Sequence, residues 1–173
     1  MGEIKIKNFS EIPYEQLEEL NLQAKQKMAE GASDSSLQEH YLRYLTDEKR
    51  LKAVTVCFSD LEGRFHMLDY DKKFLIQSYD NLTFDGSSIR GFSVQSESDL
   101  RLAIDWGTLR WLPSDVFGPG KVMVFALIQD RERNYYDADM RGQLKLFNEK
   151  IRQEQGLTTN FAVEIEGFLF KGL

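Results

Sequence analysis

This chain of 173 residues has a single cysteine, two histidines and no excess of positive charge. Each shortage removes a class of protein. One cysteine excludes an internal disulfide framework and fits a reducing, cytoplasmic setting. Cys57 lies inside the apolar run "AVTVCFSD" with no base beside it in sequence, so it reads as a buried strand residue and not a nucleophile. With histidines only at His40 and His66, no His/Cys set stands at zinc spacing. A net charge of -6 argues against nucleic acid or an anionic membrane surface as partner. No run approaches the ~20 apolar residues of a membrane span. The opening "MGEIKIKNFSEIPYEQ" lacks a signal-peptide core, which leaves "NFS" and "NLT" as chance matches to a glycosylation pattern. "GPGK" lacks both the spacing and the following Ser/Thr of a phosphate-binding loop.

What remains is ample for a core: 42% of residues are apolar and 12% aromatic. Residues 11–50 carry two helical patterns. In the first, Leu17, Leu20, Ala24 and Met28 recur on one narrow face between Pro13 and a stop at Gly31. In the second, Leu37, Tyr41, Tyr44 and Leu45 share a side, and His40 reads as a surface or packing residue. Residues 51–130 read mostly as strand. "LKAVTVCFSD" and "RFHMLDYD" flank "LEG" as a hairpin, with His66 a structural residue on its second strand. "FLIQS" and "KVMVFALIQD" are further strands. Residues 81–105, rich in Gly, Ser and Asp, read as a long connector. In residues 131–173, Met140, Leu144, Phe147 and Ile151 predict a helix ended by Gly156, followed by a closing strand. The expected architecture is α+β.

Two segments hold candidate chemistry. In "FAVEIEGFLFKGL", a strand places Glu164 and Glu166 on one face, about 7 Å apart. That pair is either the solvated face of an edge strand or two oxygen ligands for a hard divalent cation. In "NLTFDGSSIRGFSVQSESDLRLAID", Asp85 and Gly86 make a turn and Ser87 and Ser88 cap the residues after them, or the segment is a binding loop.

"FDGSSIRGFSVQSESDLRL" resembles the N-terminal signature of the glutamine synthetase family, an Asp-Gly-Ser-Ser loop ahead of a Glu-Ser-Asp segment. "VTVCFSDLEGRFHML" looks like that family's first hairpin, and "VEIEGFLF" resembles its glutamate-bearing first catalytic strand. The resemblance implies a β-grasp domain over 51–130, preceded by a helical extension over 1–50. It also implies the first helix and strand of a truncated catalytic domain over 131–173. It implies an ATP-dependent ligase that joins glutamate and ammonium through a γ-glutamyl phosphate, at sites shared between subunits of a homo-oligomeric ring. Asp85 would then bind ammonium and take its proton, with Ser88 beside it. Glu164 and Glu166 would be ligands of Mg²⁺ or Mn²⁺, two or more ions per complete site, with ATP as substrate.

The departures are Gly167 where the family has Phe, Arg90 where it has a small residue, Ile104-Asp105 where it has Pro-Asp, and the longer N-terminal helices. The family continues well beyond this point and carries its remaining ligands there. The isolated chain is therefore expected to be inactive. The alternative expectation is a non-catalytic module that assembles with, or regulates, a full-length synthetase. A β-grasp-like domain without retained function is a third.

Overall fold

The computed structural model describes residues 11–172. The stretch up to Ser10, where the sequence lacks a signal-peptide core, and Leu173 lie outside the described residues. The described part runs α1 (Tyr14–Ala29), α2 (Asp34–Asp47), β1 (Ala53–Ser59), β2 (Phe65–Asp71), α3 (Lys72–Ser78), β3 (Thr83–Asp85), β4 (Asp99–Trp111), α4 (Ser114–Phe117), β5 (Lys121–Gln129) and α5 (Met140–Gln155). Two short 3₁₀ turns, Gly86–Ser88 and Gln95–Glu97, fill the connection from β3 to β4.

The five strands make one mixed sheet in the order β2-β1-β5-β4-β3. The β1–β2 hairpin pairs in the register Ala53 to Asp71, as its alternating pattern and Gly63 turn require. Gly63 sits at φ 76°, a conformation that favours glycine. β1 also runs parallel to β5, and the other pairs are antiparallel. Being central, β1 buries Val54, Val56 and Phe58 on one face and Cys57 on the other, while β2 at the edge stays half open.

The N-terminal helices share this core instead of standing apart from it. Leu17 and Ala24 of α1 and Leu37, Tyr41 and Leu45 of α2 are buried in one cluster with Val54, Val56, Leu109, Trp111 and Val124. α2 begins at Ser33, whose hydroxyl accepts from the Ser36 amide. Trp111, the last residue of β4, is tied from both helices. Asn21 donates to its carbonyl (2.9 Å) and accepts from its amide (3.0 Å), and the indole donates to the Tyr44 hydroxyl (2.9 Å). An asparagine side chain thus serves as the strand neighbour that β4 lacks there. β4 bulges between Asp105 and Arg110, where the Met28 side chain lies against Gly107.

Three sequence expectations change. "FLIQS" is helix α3. Asp71 caps it, its carboxylate accepting from the Lys73 and Phe74 amides, and Leu75 turns into the core while Phe74 stays exposed. Residues 81–105 are only partly connector: β3 and the start of β4 lie inside them, and Leu100 and Leu102 alternate into the core behind polar neighbours. The closing strand does not form, for residues 157–172 belong to no helix or strand. A strand needs a neighbour for its N–H and C=O groups, and none of the described residues pairs with this segment.

α5 forms as expected, capped by Asp139 and ended by Gly156 at φ 68°. Its predicted stripe points outward, with Met140, Leu144 and Phe147 each about half exposed. What fastens the helix is polar. Buried Asp139 accepts from the Ile128 amide of β5 (2.8 Å), and Arg141 pairs with Asp105 of β4 (2.6 Å). No helix among the described residues is long and apolar enough to cross a membrane.

Candidate functional site

Asp85 is the last residue of β3, at one end of the sheet, and the chain turns sharply after it. Its carboxylate caps the Gly86–Ser88 turn. Oδ1 accepts from the Ser87 amide (2.9 Å) and the Ser87 hydroxyl (2.6 Å), and Oδ2 accepts from the Ser88 hydroxyl. These hydrogen bonds, those of Ser87 first and then Ser88, hold the exposed carboxyl below its ordinary range. The two serines, expected to cap the residues after them, instead donate back to Asp85. Turn chemistry and a shaped loop are here the same structure.

Beneath the loop the packing is tight. Gly86 is buried, its amide donates to the Ser98 carbonyl (2.7 Å), and a β-carbon on it would meet Leu100 Cδ1 at 2.5 Å and Ser93 Oγ at 2.7 Å. Only glycine lets the backbone lie this close to the sheet. The base is aromatic: Phe84 packs on Phe58 (4.7 Å between centroids) and on Phe92 (6.2 Å). The Tyr136 hydroxyl donates to the Phe92 carbonyl, which fastens the loop from the far side. The sequence motif marks Asp85 and Ser88 but not this base. Its signal was available in Phe84 and Phe92, which bracket "DGSSIRG" on either side.

Glu164 and Glu166 are placed very differently. They sit in the exposed segment after α5, which contacts the helix through Thr159, whose hydroxyl donates to Asn148 (2.6 Å). Carboxylate oxygens suit a hard divalent cation. The described residues nevertheless hold no group of three or more His, Cys, Asp or Glu arranged around a metal position. The donor chemistry fits Mg²⁺ or Mn²⁺; the preorganisation of a metal centre is not present in this segment.

The comparisons with known proteins fall on the domain that holds this loop. Residues 50–130 match the family described as glutamine synthetase, beta-Grasp domain. The glutamine synthetase of Methanosarcina mazei is 33% identical over 128 residues, covering 72% of this chain and 28% of that protein. That of Archaeoglobus fulgidus is 28% identical over 131 residues, covering 73% and 27%. The chain thus spans a little over a quarter of the length of these relatives. Among solved structures, Plasmodium falciparum glutamine synthetase superposes with a TM-score of 0.60 at 23% identity, over 67% of this chain and 22% of that one. A GmaS/ADP complex superposes at 0.58 with 18% identity, over 65% and 26%. At those identities the structural likeness speaks for the fold alone. Sequence match and fold meet on the same residues, and through this β-grasp domain the chain belongs to the glutamine synthetase family.

Proposed function

We propose that this chain supplies the β-grasp portion of an active site of glutamine-synthetase type, with Asp85 as the group that faces ammonium. The observation that carries the reading is the Asp85 carboxylate itself, exposed at the mouth of its loop and oriented by three donors. A cationic substrate is held best by a carboxylate that stays ionised, and the Ser87 and Ser88 hydrogen bonds keep it so. The same lowering makes Asp85 a weak base. It would take the proton as an ammonium N–H bond breaks and the freed electron pair forms the C–N bond to the carbonyl carbon of γ-glutamyl phosphate; phosphate leaves with the C–O electron pair, and Asp85 passes its proton to water. Ser88 fixes Oδ2 and leaves its remaining lone pair for the cation.

Glu164 and Glu166 would hold Mg²⁺ or Mn²⁺ once their segment is paired as a strand. The metal would neutralise charge on transferring phosphate. ATP and glutamate would be bound by groups other than the described residues. A complete site is proposed to form only in a homo-oligomeric ring or with a full-length synthetase, in the cytoplasm. Residues 131–173 would begin the catalytic domain.

The decisive experiment is ¹³C-carboxyl NMR of the 173-residue chain titrated with ammonium chloride against sodium chloride at equal ionic strength. A saturable ammonium-specific shift at Asp85 supports the reading; equal responses to the two salts reject it. The isolated chain is expected to form no glutamine from glutamate, ammonium and ATP.

A second reading is favoured by the outward stripe of α5 and the exposed Phe161, Val163 and Ile165. Such surface is normally covered, as it would be in a non-catalytic module that assembles with a full-length synthetase. Co-purification with such a synthetase tests it.

A further inference from the structure

His66 looks purely structural in the sequence, yet its surroundings lead to Asp85 by two routes. Its Nε2 lies 2.8 Å from Oδ2 of Asp60, whose side chain is only 5% exposed. The other Asp60 oxygen accepts from the Glu62 and Arg64 amides, both at 2.9 Å. One buried carboxylate therefore shapes the whole turn between β1 and β2, and His66 occupies the oxygen the turn leaves free. That turn props the Asp85 loop: Leu61 Cδ1 sits 3.6 Å from where a β-carbon of Gly91 would lie, and Glu62 faces Arg90 at 3.7 Å. The second route is aromatic. The His66 ring stacks on Phe58 (5.0 Å, 15° between planes), and Phe58 is the ring on which Phe84 rests, one residue before Asp85.

We propose that His66 is a positioning residue for Asp85, bonding to Asp60 to shape the supporting turn and stacking on Phe58 to fix the base of the loop. This rests on the reading of the Asp85 loop as the working end of the domain. His66 itself touches no substrate. It sets the direction in which the Asp85 carboxylate and its serine donors are presented.

The test uses the full 173-residue chain and two local readouts, the ¹³C-carboxyl titration of Asp85 and hydrogen exchange at the Ser87 amide. In His66→Ala the Asp85 midpoint should rise towards the ordinary carboxylate range as its serine donors loosen. Exchange at Ser87 should quicken by about tenfold. His66→Phe, which keeps a ring over Phe58, and His66→Gln, which keeps a donor for Asp60, should each restore part of the effect. Asp130, whose carboxyl is lowered by Asn134, is the internal control and should not move.

An Asp85 titration and a Ser87 exchange rate unchanged in His66→Ala would overturn the proposal, as would an equal shift at Asp130. Should His66→Ala fail to fold, the same readouts in His66→Gln decide it. Ammonium separates this from the reading beneath it. If His66 variants move Asp85 but wild type ignores ammonium, the coupling stands and the substrate assignment falls. If wild type responds to ammonium and the variants titrate like it, the reverse holds.

Discussion

Two acidic segments of this molecule are the ones proposed to carry its chemistry, and they differ in how much of their geometry is built locally. The Asp85 loop is complete. Its carboxylate has three donors from its own turn, a glycine pressed to Leu100 and an aromatic floor. The Glu164–Glu166 segment has the right side chains and none of that support among the described residues. The difference lies in where the backbone finds hydrogen-bond partners. The loop closes through the Gly86 amide on the Ser98 carbonyl, just ahead of β4, whereas a strand needs neighbours that α5 does not supply. A binding loop can be prefabricated in a small domain; a strand-borne metal ligand waits for a sheet.

The largest test of this contrast is deletion from each end. Removing residues 1–50 strips Leu17, Ala24, Leu37, Tyr41 and Leu45 from the shared core. At roughly 1.5–3 kcal/mol for each large apolar side chain, the loss rivals the whole stability of a typical domain. The remainder should show no cooperative thermal transition. Removing residues 157–173 should leave the transition where it was, to within the ~0.5 kcal/mol expected of exposed sites. Unfolding of both truncated chains would mean that the terminal segment is structural after all.

Single substitutions sharpen the same comparison. Leu45→Ala, at a fully buried position, should cost about 2–5 kcal/mol by denaturant titration. Ile165→Ala and Phe168→Ala, both exposed, should each cost less than about 0.5 kcal/mol. Gly86→Ala lies between, at about 1–3 kcal/mol, because the new methyl meets Leu100, which is buried and cannot swing away. Its signature is local: amide shifts concentrated at Asp85 to Ser88 and at Ser93. A Gly86→Ala chain with unchanged loop shifts would show that the loop is softer than its packing indicates.

The same contrast explains what was legible in the sequence. Elements whose signals are local came through. The helix faces at Leu37, Tyr41 and Leu45, the hairpin around Gly63 and the Gly156 stop each depend on neighbours within a few residues. "FLIQS" misleads because five apolar-rich residues fit either period, and the deciding contact is the Asp71 cap just outside them. The start of β4 is hidden by its charged residues, since Asp99 and Arg101 alternate with Leu100 and Leu102 inside a stretch that composition marks as loop. Asp85 and Ser88 are recognisable as a pair from the motif, and the structure joins them by a hydrogen bond. The surroundings of His66 are not recognisable, because its bond to Asp60 and its stack on Phe58 are tertiary facts.

Acid gives a gentler test of the Asp85 side of that comparison. Asp60 is held below its ordinary range first by the His66 hydrogen bond, and Asp85 by Ser87 and Ser88. A carboxyl whose folded value lies below its unfolded one adds stability that is fully present above the unfolded value, near 3.8, and disappears as pH falls towards the folded value. The chain should therefore lose stability as pH drops through about 4, where the unfolded state takes up protons that the folded state refuses. Asp60→Asn should flatten that slope, because it removes one of the groups that resist protonation. Asp85→Asn should flatten it as well, because it removes the carboxyl that the Ser87 and Ser88 hydrogen bonds hold below its ordinary range. An unchanged slope in Asp85→Asn would show that the serine donors do not hold this carboxylate in the folded chain, and would move the Asp85 loop to the same side of the comparison as the Glu164–Glu166 segment.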